Sequence, residues 1–484
     1  MEPLEGFSAR EAEATKSKAL VLIEKTLETL ERLDHREFPT TTSAVARSLL
    51  MEVLRALRDP AHLAPVDPGV LYNKTLLLQD FVAVIERSST EHIPWPLVGY
   101  CDQIWESFFG SDGLKIFYST TPKHNYIMVR FTRKLSKLLE GVIPRSLADQ
   151  ILNRHPDLYC LQLASAEDQN LPLYANIGHE FGHALYERHK SDLFEKLNAH
   201  LKPTIAAVSS FFQSDSRVRT PIEKNKLLAN TVCVLESLGS EAFCDLVGSL
   251  LLGPAFFLSL HEMSWGQRRD VFRISLSPQM QDITAYPSFS FRLFCASQWA
   301  QISRFCSEAQ REFASLAQSI KTLGTTIEKI LVPHDSDVVQ VASRHALQDA
   351  GIIQQALSQN LTLIKNALLS YLEDCAELLH EWYQNSFLPI STSDVSSLLS
   401  RFSNHILPNI IPNLNLLGRA ADFSSILNAA ALYRLNVLIS HGTDHETLCR
   451  QMGITDRLTT KALEVSFIHK EYSVWKNTSD EHSE

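Results

Sequence analysis

The chain has 484 residues, 45% of them hydrophobic and 21% charged, with a formal net charge of −10. That length exceeds one simple core and implies two or three packed units. The acidic balance excludes a general binder of nucleic-acid backbones, which would rely on Lys and Arg.

The opening segment, MEPLEGFSAREAEATK, is too acidic and polar to be a secretory leader. Residues 8–34 carry Leu20, Ile23, Leu27, Leu30 and Leu33 at helical spacing. A second helix is predicted from Ser43, read as its N-cap, through Leu57; Pro60, Pro65 and Pro68 then break the pattern. Residues 1–96 thus read as an N-terminal helical region ending near Pro94–Pro96. Residues 97–300 hold the two strand candidates, Leu114–Ser119 and Leu158–Leu163, which are rich in β-branched or aromatic side chains. The short basic piece Arg130–Lys137 reads as a solvated helix face. A polar loop, Ser165–Asn170, leads into a helix bearing the string HEFGH. Residues 301–476 read as a C-terminal helical region, with amphipathic stretches at 299–321 (which begins just before it), 341–384, 423–438 and 456–475 and interruptions at Pro408 and Pro412. Helices of this kind serve as scaffold. Residues 477–484, NTSDEHSE, read as a disordered tail.

Eight cysteines stand singly and none forms a CxxC pair, which excludes a zinc ribbon or a dithiol redox site and fits a reducing compartment. The longest apolar stretch, Leu246–Leu260, is short for a bilayer span and is interrupted by Gly248, Ser249, Gly253 and Pro254. A soluble, cytoplasmic protein is expected, with no membrane and no nucleic-acid partner.

The chemistry is concentrated in HEFGH. His179 and His183 are four apart, so on a helix both imidazoles project from one face and can grip one metal ion. Glu180 lies about 100° around the same helix, where a carboxylate can act as a base on water without ligating the metal. The flanking Leu173, Ile177, Phe181, Ala184 and Leu185 predict a buried helix, where unpaired ionisable groups are costly.

Two residues compete for the third ligand. His179, His183 and His189 have metzincin spacing, but Tyr186 stands where that family has the glycine that stops the helix. Nothing in ALYERHK ends the helix, so His189 is expected to point away from the metal. Glu241 and Asp245, four apart in an apolar segment, form a carboxylate pair that needs a cation and a hydrogen-bond donor. Glu241 is expected to complete the coordination sphere, and Asp245 to accept from the remote nitrogen of a ligand histidine, His179. Glu236 is a weaker rival, because Ser240 follows it at the corresponding position.

HEFGH followed by ExxxD resembles the gluzincins, the thermolysin-like zinc metallopeptidases. HEFGHALYE is also similar to helical oligopeptidases and the carboxypeptidase Taq group, in which the glutamate follows sooner than the 58 positions between His183 and Glu241. The gluzincin resemblance implies zinc held by His179, His183 and Glu241, with Glu180 as general base and Asp245 behind a ligand. It also implies a mainly α (α+β) fold, with a zincin-like catalytic core and a small sheet between N- and C-terminal helical regions.

A peptidase further needs a donor for the oxyanion. Tyr286 is the first candidate, with Arg292, His261 and Tyr174 as alternatives. The expected activity is hydrolysis of an intracellular peptide or protein, with Leu158–Leu163 as a possible sheet edge for an extended substrate. Two other readings stand beside it. One is a regulatory or interaction protein whose zinc is structural. The other is a narrowly specific protease acting on one stress or defence partner.

Overall fold

The computed structural model describes the chain apart from residues 1, 34–37, 64–65, 90–92, 94, 123–125, 165–170, 264–272, 277–282, 287–291, 294–343, 384–385, 388–389, 413–417, 442–443 and 482–484. The described residues are mostly helical, with one three-stranded sheet and two short hairpins among them. The chain divides into two compact units, Met1–Asp168 and Gln169–Glu484.

The first unit contains α1 (Glu2–Arg32), α2 (Thr41–Arg58), the single turn α3 (Pro60–Leu63), α4 (Pro68–Glu86) and α5 (Trp95–Phe109). It continues with β1 (Lys115–Thr121), β2 (Ile127–Arg130), α6 (Phe131–Leu139), α7 (Arg145–Leu152) and β3 (Leu158–Ala164). Helix α2 buries Ala46, Leu49, Leu50, Val53, Leu54 and Leu57, the spacing of one apolar stripe. Its N-cap is Thr40 rather than the expected Ser43, which lies one turn in and is buried. Helix α4 starts as its sequence dictates: Pro68 fills the first turn and the Asp67 carboxylate accepts from the Val70 amide. In α6 the apolar Phe131, Leu135 and Leu138 turn inward while Arg133, Lys134 and Lys137 stay exposed, as a solvated basic face requires.

The sheet order is β1-β3-β2, with β3 parallel to β1 and antiparallel to β2. Strand β3 is therefore central and bonded on both sides. The expectation that Leu158–Leu163 forms an edge is corrected, because only β1 and β2 are edges of this sheet. Strand β2 was not foreseen: IMVR is four residues long and runs straight into α6.

One apolar core joins α1, α2, α4, α6 and α7 to β1 and β3, with Phe117 and Phe131 in edge contact at 5.2 Å. That continuous core is why the division falls at 168/169 instead of after residue 96. The expected 97–300 segment spans both units, its three-stranded sheet in the first and its HEFGH helix in the second.

The second unit opens with a 3-10 segment, Leu171–Asn176, then α8 (Ile177–Arg188), α9 (Lys190–Ser214) and α10 (Pro221–Met263). A hairpin of β4 (Arg273–Leu276) and β5 (Ile283–Tyr286) follows. Next come α11 (Arg344–Gln359), α12 (Leu361–Trp382) and α13 (Thr392–Ser403), the minimal hairpin β6 (Ile410–Ile411) and β7 (Arg419–Ala420), then α14 (Phe423–His441) and α15 (His445–Glu481). The amphipathic stretch 341–384 holds two helices, divided at Asn360. The polar tail also departs from expectation, since α15 continues through Glu481. The expected stretch 299–321 lies outside the described residues.

Helix α10 is long and apolar enough to cross a bilayer by composition, yet 89% of its most apolar window is buried within the protein. It bends at Gly253, whose φ of 51° is open to glycine, followed by Pro254. The break frees backbone groups, and Asn428 of α14 satisfies them. Its amide donates to the Leu252 carbonyl at 3.0 Å and its side-chain oxygen accepts from the Ala255 amide at 2.8 Å.

Candidate metal centre

Helices α8 and α10 cross at unusually small residues. A Cβ on Gly182 would lie 2.5 Å from the Cys244 Cα, and one on Gly178 would lie 2.9 Å from the Gly248 Cα. Only glycine allows that approach. The spacing Gly178-xxx-Gly182 against Cys244-xxx-Gly248 brings one row of each helix into contact. The closeness lets the short carboxylates of α10 reach the histidines of α8.

His179, Glu180 and Glu241 are buried, and Asp245 is fully so. The His183 side chain is more open, at 34% exposure against 9% for His179 and Glu241. Two edges of the site meet on Glu241. One of its oxygens lies 3.4 Å from His179 Nε2 and the other 3.9 Å from His183 Nε2. The opposite nitrogen of His179, Nδ1, is 2.8 Å from Asp245 Oδ1. Cys244 Sγ lies 3.3 Å from His183 Nδ1.

Arg292, in the segment after the β4–β5 hairpin, grips Asp245 with two bonds, Nε to one oxygen at 2.8 Å and a terminal nitrogen to the other at 2.7 Å. That terminal nitrogen is also 3.1 Å from His179 Nδ1. Both nitrogens point at the same Asp245 oxygen, so this approach is two donors sharing one acceptor.

The electrostatics follow from these contacts. Burial opposes the charge on Asp245, but the Arg292 charge and bonds, with the His179 bond, hold its carboxyl down at about 2. Burial and the Arg292 charge push His179 down; the bond to Asp245, that residue's charge and the Glu241 bond outweigh them and raise it to about 9. Burial, then the His179 charge, lowers His183 to about 4. Burial also disfavours ionised Glu241, yet its His179 partner keeps it below the usual carboxylate range. Burial, reinforced by Glu241, Asp245 and Glu180, pushes the Cys244 thiol well up.

The donor atoms of His179, His183 and Cys244 lie within 4.8 Å of one another, and among the described residues this is the group that could hold a metal ion. Glu241 stands beside this group, one oxygen toward His179 Nε2 and the other toward His183 Nε2. Ligands of a tetrahedral ion with metal bonds of about 2.0–2.1 Å sit roughly 3.3 Å apart. The Glu241 oxygens approach that separation from both Nε2 atoms. His179 can use only Nε2, because Asp245 occupies Nδ1. The residues present could therefore hold a metal ion.

The structure separates the remaining candidates. Helix α8 does stop, at Arg188, and α9 begins at Lys190, contrary to the expectation that nothing in ALYERHK ends it. His189 nevertheless turns elsewhere. It stacks on Trp382 with centroids 3.8 Å apart, and its Nε2 lies 2.8 Å from the Tyr383 hydroxyl. Tyr286 ends β5, paired with Arg273, and its side chain lies outside the described residues. Tyr174 is buried in the 3-10 segment before α8, and His261 lies past the Gly253 bend. Arg292, an alternative for the oxyanion, is engaged by Asp245. Sequence reasoning missed the contact of Cys244 with His183; its position beside Glu241 and Asp245 on one helix face was the available signal.

No protein-family model matches the chain, and no curated protein or solved structure matches it. The gluzincin resemblance therefore rests on the residues of α8 and α10 alone.

Proposed function

We propose that the protein is a zinc-dependent peptidase of gluzincin type, acting on a peptide or protein, with a zincin-like arrangement of α8 and α10. His179, His183 and Glu241 would hold the zinc, each through the atoms that converge on Glu241. When bound, zinc supplies Lewis acidity, polarising a carbonyl and bringing the pKa of water toward about 7.

The chain's own residues do the rest. Glu180 takes the proton from the attacking water and passes it to the leaving amine. Asp245 holds the Nδ1 proton of His179, which leaves Nε2 as the ligand atom. Arg292 keeps Asp245 ionised, so that Asp245 acts as an acceptor only.

One observation carries this reading: the buried ligand set is open on the His183 side, with a carboxylate one residue from a ligand. A structural zinc site is closed and has no use for a base beside it, which disfavours the interaction-protein alternative.

Glu180→Gln tests the proposal. The variant keeps the shape of the side chain but not its basicity, so it should fold, retain zinc and bind substrate while losing roughly 10²–10⁴-fold in hydrolysis. Protein captured from a lysate by Glu180→Gln, then exposed to the wild type, reads binding and cleavage together. Equal cleavage by variant and wild type would remove Glu180 as the base.

A further inference from the structure

We infer that Cys244 is a positioning residue for His183, holding that ring from behind as Asp245 holds His179; the inference rests on the zinc reading proposed above.

The face that α10 turns toward α8 is Glu241, Cys244, Asp245 and Gly248, spaced as one helical row and its neighbour. Gly248 supplies the close approach and the other three meet ring nitrogens. His179 has Asp245 at Nδ1 and Glu241 at Nε2; His183 has Cys244 at Nδ1 and Glu241 at Nε2. Each ligand ring is thereby met at both nitrogens, from a single helix.

The position of the thiol is fixed by the crossing itself. Gly182 leaves the space that the Cys244 backbone occupies, so Sγ sits against the ring one residue further along α8. A neutral thiol sulfur is a weak acceptor, and Cys244 Sγ stands where it can accept from the Nδ1–H of His183. That choice of tautomer presents the Nε2 lone pair to the Glu241 side, where the metal would sit. The alternative is a thiolate ligand, but Sγ meets the ring at Nδ1, the nitrogen opposite the Nε2 that faces Glu241, and so stands behind the ring and not on its metal side. A further role as a mere space-filler would leave the ring free to adopt either tautomer.

The test uses the full chain in three forms: wild type, Cys244→Ala and Cys244→Ser. Zinc affinity is measured by chelator competition, the His183 tautomer by long-range nitrogen–proton correlation in the metal-free protein, and sulfur ligation by absorption after cobalt(II) loading. Cys244→Ala should bind zinc roughly 10–100-fold more weakly, as on loss of a partner behind a ligand. Cys244→Ser, whose hydroxyl accepts the same bond, should recover most of that loss. Metal-free wild type should show a single His183 tautomer, protonated at Nδ1, and the cobalt form should lack a thiolate charge-transfer band.

A Cys244→Ala protein with wild-type affinity and an unchanged tautomer would reduce Cys244 to a space-filler, and a thiolate band would make it a ligand; either overturns the inference and spares the zinc site. If Cys244→Ala does not fold, the wild-type tautomer and the serine variant decide. Wild type that takes up no zinc defeats the zinc reading itself, and this inference with it.

Discussion

His179 carries a proton at neutral pH in the metal-free protein, because Asp245 and Glu241 stabilise its charge more than burial and Arg292 oppose it. His183, held at about 4, is already neutral. Metal binding must therefore displace one proton, from His179. The sign is fixed: affinity should rise by about tenfold per pH unit up to about 9 and then level off. Calorimetric titration in buffers of different ionisation enthalpy should read about one proton released per zinc at pH 7; none released would contradict the charge assignment. The same pair makes folding of the metal-free protein pH-dependent. His179 is raised from 6.5 to about 9, so its contribution is complete below 6.5 and is lost as pH rises through about 9. Asp245 is depressed from 3.8 to about 2, so its contribution is present above 3.8 and is lost as pH falls through about 2. Single substitutions separate the ligand candidates. Glu241→Ala should weaken zinc binding severely, Asp245→Ala by roughly 10–100-fold, and His189→Ala hardly at all, since its ring is held by Trp382 and Tyr383.

The helix crossing makes a sharper demand on the sequence than the ligands do. Gly182→Ala would set a methyl 2.5 Å from the Cys244 backbone, which must move, whereas the clash at Gly178→Ala is milder at 2.9 Å. Overpacking of this kind costs typically 1–3 kcal/mol, roughly. Gly182→Ala should accordingly lower the melting temperature and weaken zinc binding more than Gly178→Ala does. Equal effects would mean that the crossing does not set the reach of Glu241. Further along α10, Asn428→Ala leaves the Leu252 carbonyl and the Ala255 amide without their partner, at a cost of about 1–3 kcal/mol. Denaturant unfolding would measure it. The histidine spacing and the paired carboxylates were legible because helical periodicity maps i and i+4 onto one face. The small-residue crossing was not read, because a glycine inside HEFGH carries no sign of which helix it will meet. The stop at Arg188 was also hidden: no glycine or proline marks it, and the helix resumes one residue later.

At the scale of the whole chain, local pattern located most helices and two of the three strands in the main sheet, but not the division of the molecule. The helices of residues 1–96 look self-contained in sequence. Their inward faces are in fact completed by Phe117, Leu158 and Cys160 of the sheet and by Phe131 and Leu135 of α6. Such contacts join residues far apart in the chain and leave no periodic trace. The second unit is built around α10, and a ligand that binds only the folded site should stabilise it by mass action. Free zinc at a hundredfold excess over its Kd should contribute about 2.7 kcal/mol, raising the melting temperature reversibly with chelator, and His183→Ala should abolish the shift. The central claim meets its most direct test in the metal content of the purified, unchelated protein. Elemental analysis should find about one zinc per folded chain, retained in Glu180→Gln and largely lost in Glu241→Ala. Folded wild type without zinc, or Glu241→Ala with its full complement, would contradict the account.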